Sequence, residues 1–315
     1  MRLKSVAIAL SFALFASAAF GQGAAGSAAP AGSAGTAAPV RPKLLGVGGV
    51  VFSTSDMAAA REFYGDYLGF GQLPGGTVAA KAAPAGAMLF KVNDSQLITI
   101  CPEVKGTAQA PTGRLLRADF LTDDVKGMRK YLLSRGYEVL AAISEKDGDR
   151  SFLFTAPGGL NIRFVEQTER GMAARGKGKY LAKSRLSDRL SHVGFAVADI
   201  DRARAFYCGV LGFVETDRGG PTWIFMTFPD GTDAIELMLE MRNPKNNIPP
   251  YKNHFNFDTG DIHATWATLE SRKLPAGCRI EPVVKGKDGK LLINIFDPDG
   301  TRVEFIETYV REENK

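Results

Sequence analysis

Three histidines, three cysteines and two tryptophans are all that 315 residues contain, and these scarcities narrow the function. Cys101, Cys208 and Cys278 are an odd set, far apart and without Cys-x-x-Cys spacing. A zinc finger, a thioredoxin-like redox pair and a disulfide framework are therefore not indicated. Cys208 falls inside an expected helix, where a thiol ordinarily packs as a small hydrophobe. The apolar stretch from Val6 to Phe20 is shorter than the ~20 residues needed to span a bilayer. An acidic excess is also lacking: the formal charge is +5. Much of that charge is concentrated in Arg170, Arg175, Lys177, Lys179, Lys183, Arg185 and Arg189, among glycines and polar residues. With no aromatic platform beside it, this run reads as a solvated interdomain linker rather than a nucleic-acid patch.

What is present begins with an export pattern. Arg2 and Lys4 precede the apolar stretch, and Ala19-Phe20-Gly21 follows with small residues where a signal peptidase inspects the chain. A cleavable signal peptide over 1–21 is expected, with a secreted or periplasmic mature protein and no stable membrane insertion. Residues 22–43, rich in Ala, Gly, Ser and Pro, read as a disordered tether because they have little apolar bulk to bury.

The remainder is organised by an internal repeat. Residues 56–70 read DMAAAREFYGDYLGF and residues 199–213 read DIDRARAFYCGVLGF, aligned without a gap at an offset of 143. Weaker copies start at Asp124 and Asp261. Each begins with a short alternating strand and an Asp placed to cap a helix of about three turns. Gly69, Gly136 and Gly212 supply helix stops, whereas the fourth helix stops before Pro275. Apolar runs broken by turn residues follow each helix and read as strands. The expected fold is α+β: four βαβββ modules in two domains, 44–168 and 188–310, joined by the basic linker 169–187.

The histidines acquire meaning from this repeat. His192 and His254 occupy matching strand positions in the last two modules, and Glu304 lies on the closing strand. Two imidazoles and a carboxylate form a donor set suited to a divalent transition metal. Strand alternation supports it, because successive side chains point to opposite faces. His192, Gly194 and Ala196 oppose the bulky Val193, Phe195 and Val197. His254, Asn256 and Asp258 oppose Phe255 and Phe257, while Glu304 opposes Val303 and Phe305. Glu236, Met238 and Glu240 oppose Ile235, Leu237 and Leu239. His263 falls in the first turn of the last helix, by its polar face, and is expected to be exposed.

The stretches LSHVGFAVADIDRARAFYCGVLGF, AIELMLE, NHFNFDTGDI and DPDGTRVEFIE resemble the vicinal oxygen chelate superfamily. Glyoxalase I, methylmalonyl-CoA epimerase, extradiol dioxygenases and the fosfomycin and bleomycin resistance proteins belong to that group. The resemblance covers nearly all of the expected mature chain. It implies that two modules curl into a half-open cup with a metal on the concave face. It also implies Glu236 as a fourth ligand, with Glu240 as the substitute if the strand register is displaced. One divalent ion is expected, with Ni, Zn, Fe, Mn and Co all admissible.

In the first domain the positions of His192, His254 and Glu304 are held by Gly49, Arg117 and Arg163. Guanidinium groups do not ligate cations. Their expected role is to neutralise acidic neighbours such as Asp119, with an anion-binding cup as the alternative.

The family uses its metal as a Lewis acid. A glyoxalase- or epimerase-like lyase or isomerase acting on a small oxygen-chelating substrate is the leading expectation, with Glu304 or Glu236 moving a proton. The alternatives are an Fe(II) extradiol-type dioxygenase and a non-catalytic binder whose groove would use Trp223, Phe225 and Phe228. Asn294 stands where a dioxygenase is expected to carry a tyrosine. The cup can form within the second domain or across a swapped homodimer, and the sequence leaves both open.

Overall fold

A computed structural model describes residues 39–104, 114–240, 252–286 and 288–308. The expected signal peptide and most of the 22–43 tether lie outside them. Among the described residues, no helix is long and apolar enough to cross a membrane.

The first unit runs β1 (Leu44–Thr54), α1 (Met57–Arg61), β2 (Gly71–Gln72), α2 (Val78–Ala82), β3 (Met88–Lys91) and β4 (Leu97–Pro102). The second is β5 (Leu115–Thr122), α3 (Val125–Ser134), β6 (Arg150–Thr155) and β7 (Asn161–Glu166), followed by the short α4 (Met172–Arg175). The third comprises β8 (Leu190–Val197), α5 (Ile200–Gly209), β9 (Val214–Arg218), β10 (Trp223–Thr227) and β11 (Ala234–Leu239). The fourth comprises β12 (His254–Thr259), α6 (Ile262–Ser271), β13 (Arg279–Ile280), β14 (Val284–Lys285), β15 (Leu291–Phe296) and β16 (Arg302–Glu307).

In every unit the first strand pairs in parallel with the last. Parallel neighbours need a long crossover, and the helix supplies part of it. The units then join through their first strands, β1 with β5 and β8 with β12, both antiparallel. Each domain is thus one continuous sheet built from two units. The pairing is intradomain, so a second copy of the chain is not needed to complete the second sheet. In the second unit, the strand expected directly after the helix is reduced to a bridge between Ser144 and Ser151.

Local chemistry explains the repeat. Asp56, Asp124, Asp199 and Asp261 each accept hydrogen bonds from first-turn backbone N–H groups, satisfying donors with no partner inside the helix. Gly69, Gly136 and Gly212 adopt φ near +80° just past the helix ends, a conformation costly for side chains with a Cβ. Beyond α1 the helix widens into a π turn over Glu62–Tyr67, with Phe63, Tyr64 and Tyr67 buried.

The apolar faces of both sheets, with their helices, form one core across the two domains. Phe52 packs on Phe255 with ring centroids 5.3 Å apart, Phe70 on Phe257 at 4.8 Å, and Phe120 on Phe228 at 4.9 Å. The linker is held against this body more closely than a solvated segment would be. Lys91, fully buried, donates from Nζ to the carbonyls of Gly176 and Lys179 and pairs with Asp94. Three acceptors around one ammonium compensate its burial. The end of the 22–43 tether is likewise docked, through Arg41 on Asp230 at 2.8 Å. Cys101, Cys208 and Cys278 are free thiols.

One polar contact between the domains has a pH signature. The Tyr64 hydroxyl donates to Asp297 Oδ2 at 3.0 Å. Burial pushes the Asp297 carboxyl up to about 6, outweighing the backbone N–H of Thr301 and the Tyr64 hydroxyl, which lower it. The native state therefore keeps a proton that the unfolded chain loses near pH 4. This group's stabilisation is present below about pH 4 and is lost as pH rises through about 6, a change on the order of 2–3 kcal/mol. Asp297→Asn is expected to flatten that part of the urea-unfolding profile between pH 4 and 6. Parallel profiles for wild type and variant would rule out the assignment.

Candidate metal centre

The polar face of the second sheet carries a cross-strand row in which Ala234, His192, Asn256, Glu304 and Asn294 are successive partners. The adjacent row is Phe225, Glu236, Gly194, His254, Arg302 and Phe296. The two rows place all four expected ligands at the middle of one face. Val193, Phe195, Phe255, Phe257, Val303 and Phe305 enter the core from the other.

The four donors converge. His192 Nε2 lies 3.2 Å from His254 Nε2 and 3.4 Å from Glu304 Oε2. His254 Nε2 lies 3.0 Å from Glu236 Oε2 and 3.6 Å from Glu304 Oε2. Ligand bonds of about 2.0–2.2 Å place donors on one ion roughly 3.0–3.6 Å apart at angles between octahedral and tetrahedral. These separations match that spacing, so His192, His254 and Glu304 suit a single divalent ion. Glu236 groups with His192 and His254, their ligand atoms all within 4.8 Å of one another, a group that does not include Glu304. Glu240 lines the cavity but stands apart from this cluster, so the strand register requires no substitution of Glu240 for Glu236.

The surroundings orient the donors. His254 Nδ1 lies 3.0 Å from the Lys252 carbonyl, an arrangement in which Nδ1–H donates and leaves the Nε2 lone pair facing the cluster. His192 packs edge-on to Phe225, with ring centroids 5.2 Å apart. Burial alone would raise the Glu304 carboxyl, but the Arg302 charge first, then His254 and His192, hold it well below the usual carboxylate range. Glu236 is also lowered: burial is the largest single influence and opposes ionisation, but the His254 hydrogen bond and the electrostatic interactions with His254 and His192 together outweigh it.

Gly194 makes room for the cluster. A Cβ there would come within 1.9 Å of His254 Cε1, so any other residue forces the imidazole to move. Gly194→Ala is expected to weaken metal binding by roughly 10–100-fold, the range for disturbing a ligand's orientation. Isothermal titration with Mn(II) checks it, and unchanged affinity would show that His254 is not a ligand.

His192, Glu236 and Glu304 form part of the lining of a cavity of about 1230 Å³, while His254 is fully buried. Trp223 and Phe225 contribute to its wall, but Phe228 does not: it is buried in the core against Phe120 and Phe213. Alternation along β10 separates the first two from their neighbour. His263 is exposed, as expected. Sequence reasoning missed Arg302. It lies two residues before Glu304 and thus on the same face, a signal visible in strand parity although guanidinium does not ligate metals.

The first domain has lost these donors. Strand register places Gly49, Thr99, Arg117 and Arg163 where the second sheet has His192, Glu236, His254 and Glu304. Arg117 pairs with Asp119 at 2.7 Å, and Arg163 bridges Asp119 and Asp147. The guanidiniums neutralise acidic neighbours, as expected, and the space beside them is only about 110 Å³.

Comparison with known proteins agrees with this architecture. The model for the Glyoxalase/Bleomycin resistance protein/Dioxygenase superfamily matches residues 46–164 and 189–305. Among solved structures, an Mn(II)-bound glyoxalase from Novosphingobium aromaticivorans aligns with TM-score 0.63 and 19% identity over 84% of this chain and 83% of its own. A 2,3-dioxygenase from Pseudomonas sp. KL28 aligns with TM-score 0.64 and 15% identity over 87% and 96%. Homoprotocatechuate 2,3-dioxygenase from Brevibacterium fuscum, in an anaerobic complex with 3,4-dihydroxyphenylacetate, aligns with TM-score 0.57 and 18% identity over 89% and 85%. At these identities the likeness establishes the fold alone. Comparison with curated proteins returns no match.

Proposed function

The chain belongs to the glyoxalase/bleomycin resistance protein/dioxygenase superfamily, and from that premise we propose that it is an exported, metal-dependent enzyme of the lyase or isomerase type. It would act on a small oxygen-bearing substrate, binding one divalent ion through His192, Glu236, His254 and Glu304. Export rests on the order of basic, apolar and small residues over 2–21.

The observation that carries the reading is the presence of two differently held carboxylates in one donor cluster. Glu304 is buried and fixed, with Oε1 3.1 Å from Arg302 Nη1 and Oε2 facing both imidazoles. Glu236 is more exposed, with 20% of its side chain open to solvent, and meets His254 at 3.0 Å. When bound, the ion supplies Lewis-acid stabilisation of negative charge on a substrate oxygen. Glu304 serves as the anchored ligand. Glu236, facing the cavity, takes a proton from a substrate carbon and returns it. Trp223 and Phe225 border the cavity and limit solvent around the transfer.

A ring-cleaving dioxygenase needs only two histidines and one carboxylate, and here Glu236 adds a fourth donor. Asn294 pairs with Glu304 where a dioxygenase is expected to carry a tyrosine, and His263 is on the surface. The test is exchange of a substrate carbon-bound proton in heavy water, screened over 2-oxo and 2-hydroxy acids, aldehydes and thioesters. Exchange should require metal and proceed without oxygen. Oxygen uptake with a catechol and no exchange would replace this reading with the dioxygenase.

A further inference from the structure

Arg302 brings a permanent positive charge to the donor cluster, and its bonding is incomplete. Nη1 lies 3.1 Å from Glu304 Oε1. Nη2 lies 2.9 and 3.2 Å from the two ring nitrogens of His254. An Nδ1–H that donates to the Lys252 carbonyl leaves no lone pair there for Nη2. Nε is buried without a hydrogen-bond partner. Nη2 can still donate to the Nε2 lone pair at 3.2 Å. Once an ion takes that lone pair, the guanidinium spends one end on Glu304 and the edge shared by Nε and Nη2 is left without an acceptor. That edge matches the two oxygens of a carboxylate.

Charge points the same way. Glu236 and Glu304 balance one divalent ion, so Arg302 leaves the occupied centre with a single positive charge. Two further groups lack partners: Asn256 Oδ1 and Asn294 Oδ1 are buried acceptors with no donor. They flank Glu304 along its cross-strand row, and both residues line the cavity. The Asn256 amide nitrogen is engaged by Ser191 Oγ at 2.6 Å, which leaves its oxygen for a ligand. Buried acceptors without donors are costly, and hydroxyl groups on a ligand would satisfy them.

We propose that the cavity takes a small hydroxylated carboxylate, with its anionic end on the Nε–Nη2 edge of Arg302 and its hydroxyl groups on Asn256 and Asn294. This deepens the metal-centre reading and rests on it for the net charge and for freeing Nη2 from His254 Nε2; Arg302 Nε, Asn256 Oδ1 and Asn294 Oδ1 lack partners without it.

The experiment titrates the full chain, loaded with Mn(II), with glycolate, acetate and ethylene glycol by calorimetry, alongside the Mn(II) electron paramagnetic resonance signal. Glycolate should bind and ethylene glycol should not compete with it. Arg302→Gln should weaken glycolate by roughly 10–100-fold, the value of a charge-assisted pair, while still binding Mn(II). Arg302→Lys keeps the charge without the fork and should fall between; if the Gln variant does not fold, the Lys variant carries the comparison. Asn294→Leu should reduce the preference for glycolate over acetate and leave acetate affinity unchanged. Equal glycolate binding by wild type and Arg302→Gln would overturn the proposal, as would ethylene glycol binding as tightly as glycolate. No Mn(II) uptake by the wild type overturns the metal reading and this proposal with it, whereas Mn(II) uptake with equal glycolate binding by wild type and Arg302→Gln overturns this proposal alone.

Discussion

Replacing His254 with alanine is expected to weaken divalent-metal binding by roughly 10²–10³-fold. A structural zinc site is worth about 10–16 kcal/mol over four ligands, so one ligand accounts for some 2.5–4 kcal/mol. His254 sits at the centre of the cluster, within 3.6 Å of donor atoms on His192, Glu236 and Glu304. Its loss also leaves the Arg302 guanidinium without the ring it rests against. His192→Ala should approach the same effect, whereas His263→Ala, on the exposed face of α6, should have none. Elemental analysis of the wild type should give one ion per chain, because Gly49, Thr99, Arg117 and Arg163 offer no comparable donor set in the first sheet. Two ions per chain, or full retention by the His254 variant, would dismantle the site.

Much of this site is legible in the sequence, for a physical reason. Strand side chains alternate, so parity alone sorts ligand from core along β8, β12 and β16. The gap-free offset then carries strand positions from one domain to the other. Gly194 was legible as small, but the sequence does not say that its missing Cβ is the space occupied by the His254 ring. Trp223, Phe225 and Phe228 are alike in composition, but strand parity separates the third. Arg302 shares the face of Glu304 but is no metal donor, and a site also contains what balances its charge. The fusion of the two domains was not legible, because Phe52 and Phe255 would look equally apolar whatever they packed against. Nor was the docked linker: the Lys91 clamp depends on carbonyls of Gly176 and Lys179, distant in sequence.

The second large effect is expected from Glu236→Gln. The amide keeps the size of the carboxylate and one oxygen donor but cannot accept a proton at neutral pH. His192, His254 and Glu304 would remain, so metal should still bind, only more weakly. Metal-dependent proton exchange should fall by about 10²–10⁴-fold, the usual contribution of a positioned general base. Glu304→Gln should behave differently: it removes the charge that Arg302 and both imidazoles surround, so metal affinity should fall before any rate is measured. The pair of variants thus separates holding the ion from moving the proton. If Glu236→Gln retains both metal and full exchange, Glu236 is a bystander at the cavity wall. The remaining two histidines and one carboxylate would then be the three-donor arrangement of an oxygen-using enzyme, and catechol-dependent oxygen uptake by the Fe(II)-loaded variant would be the decisive measurement.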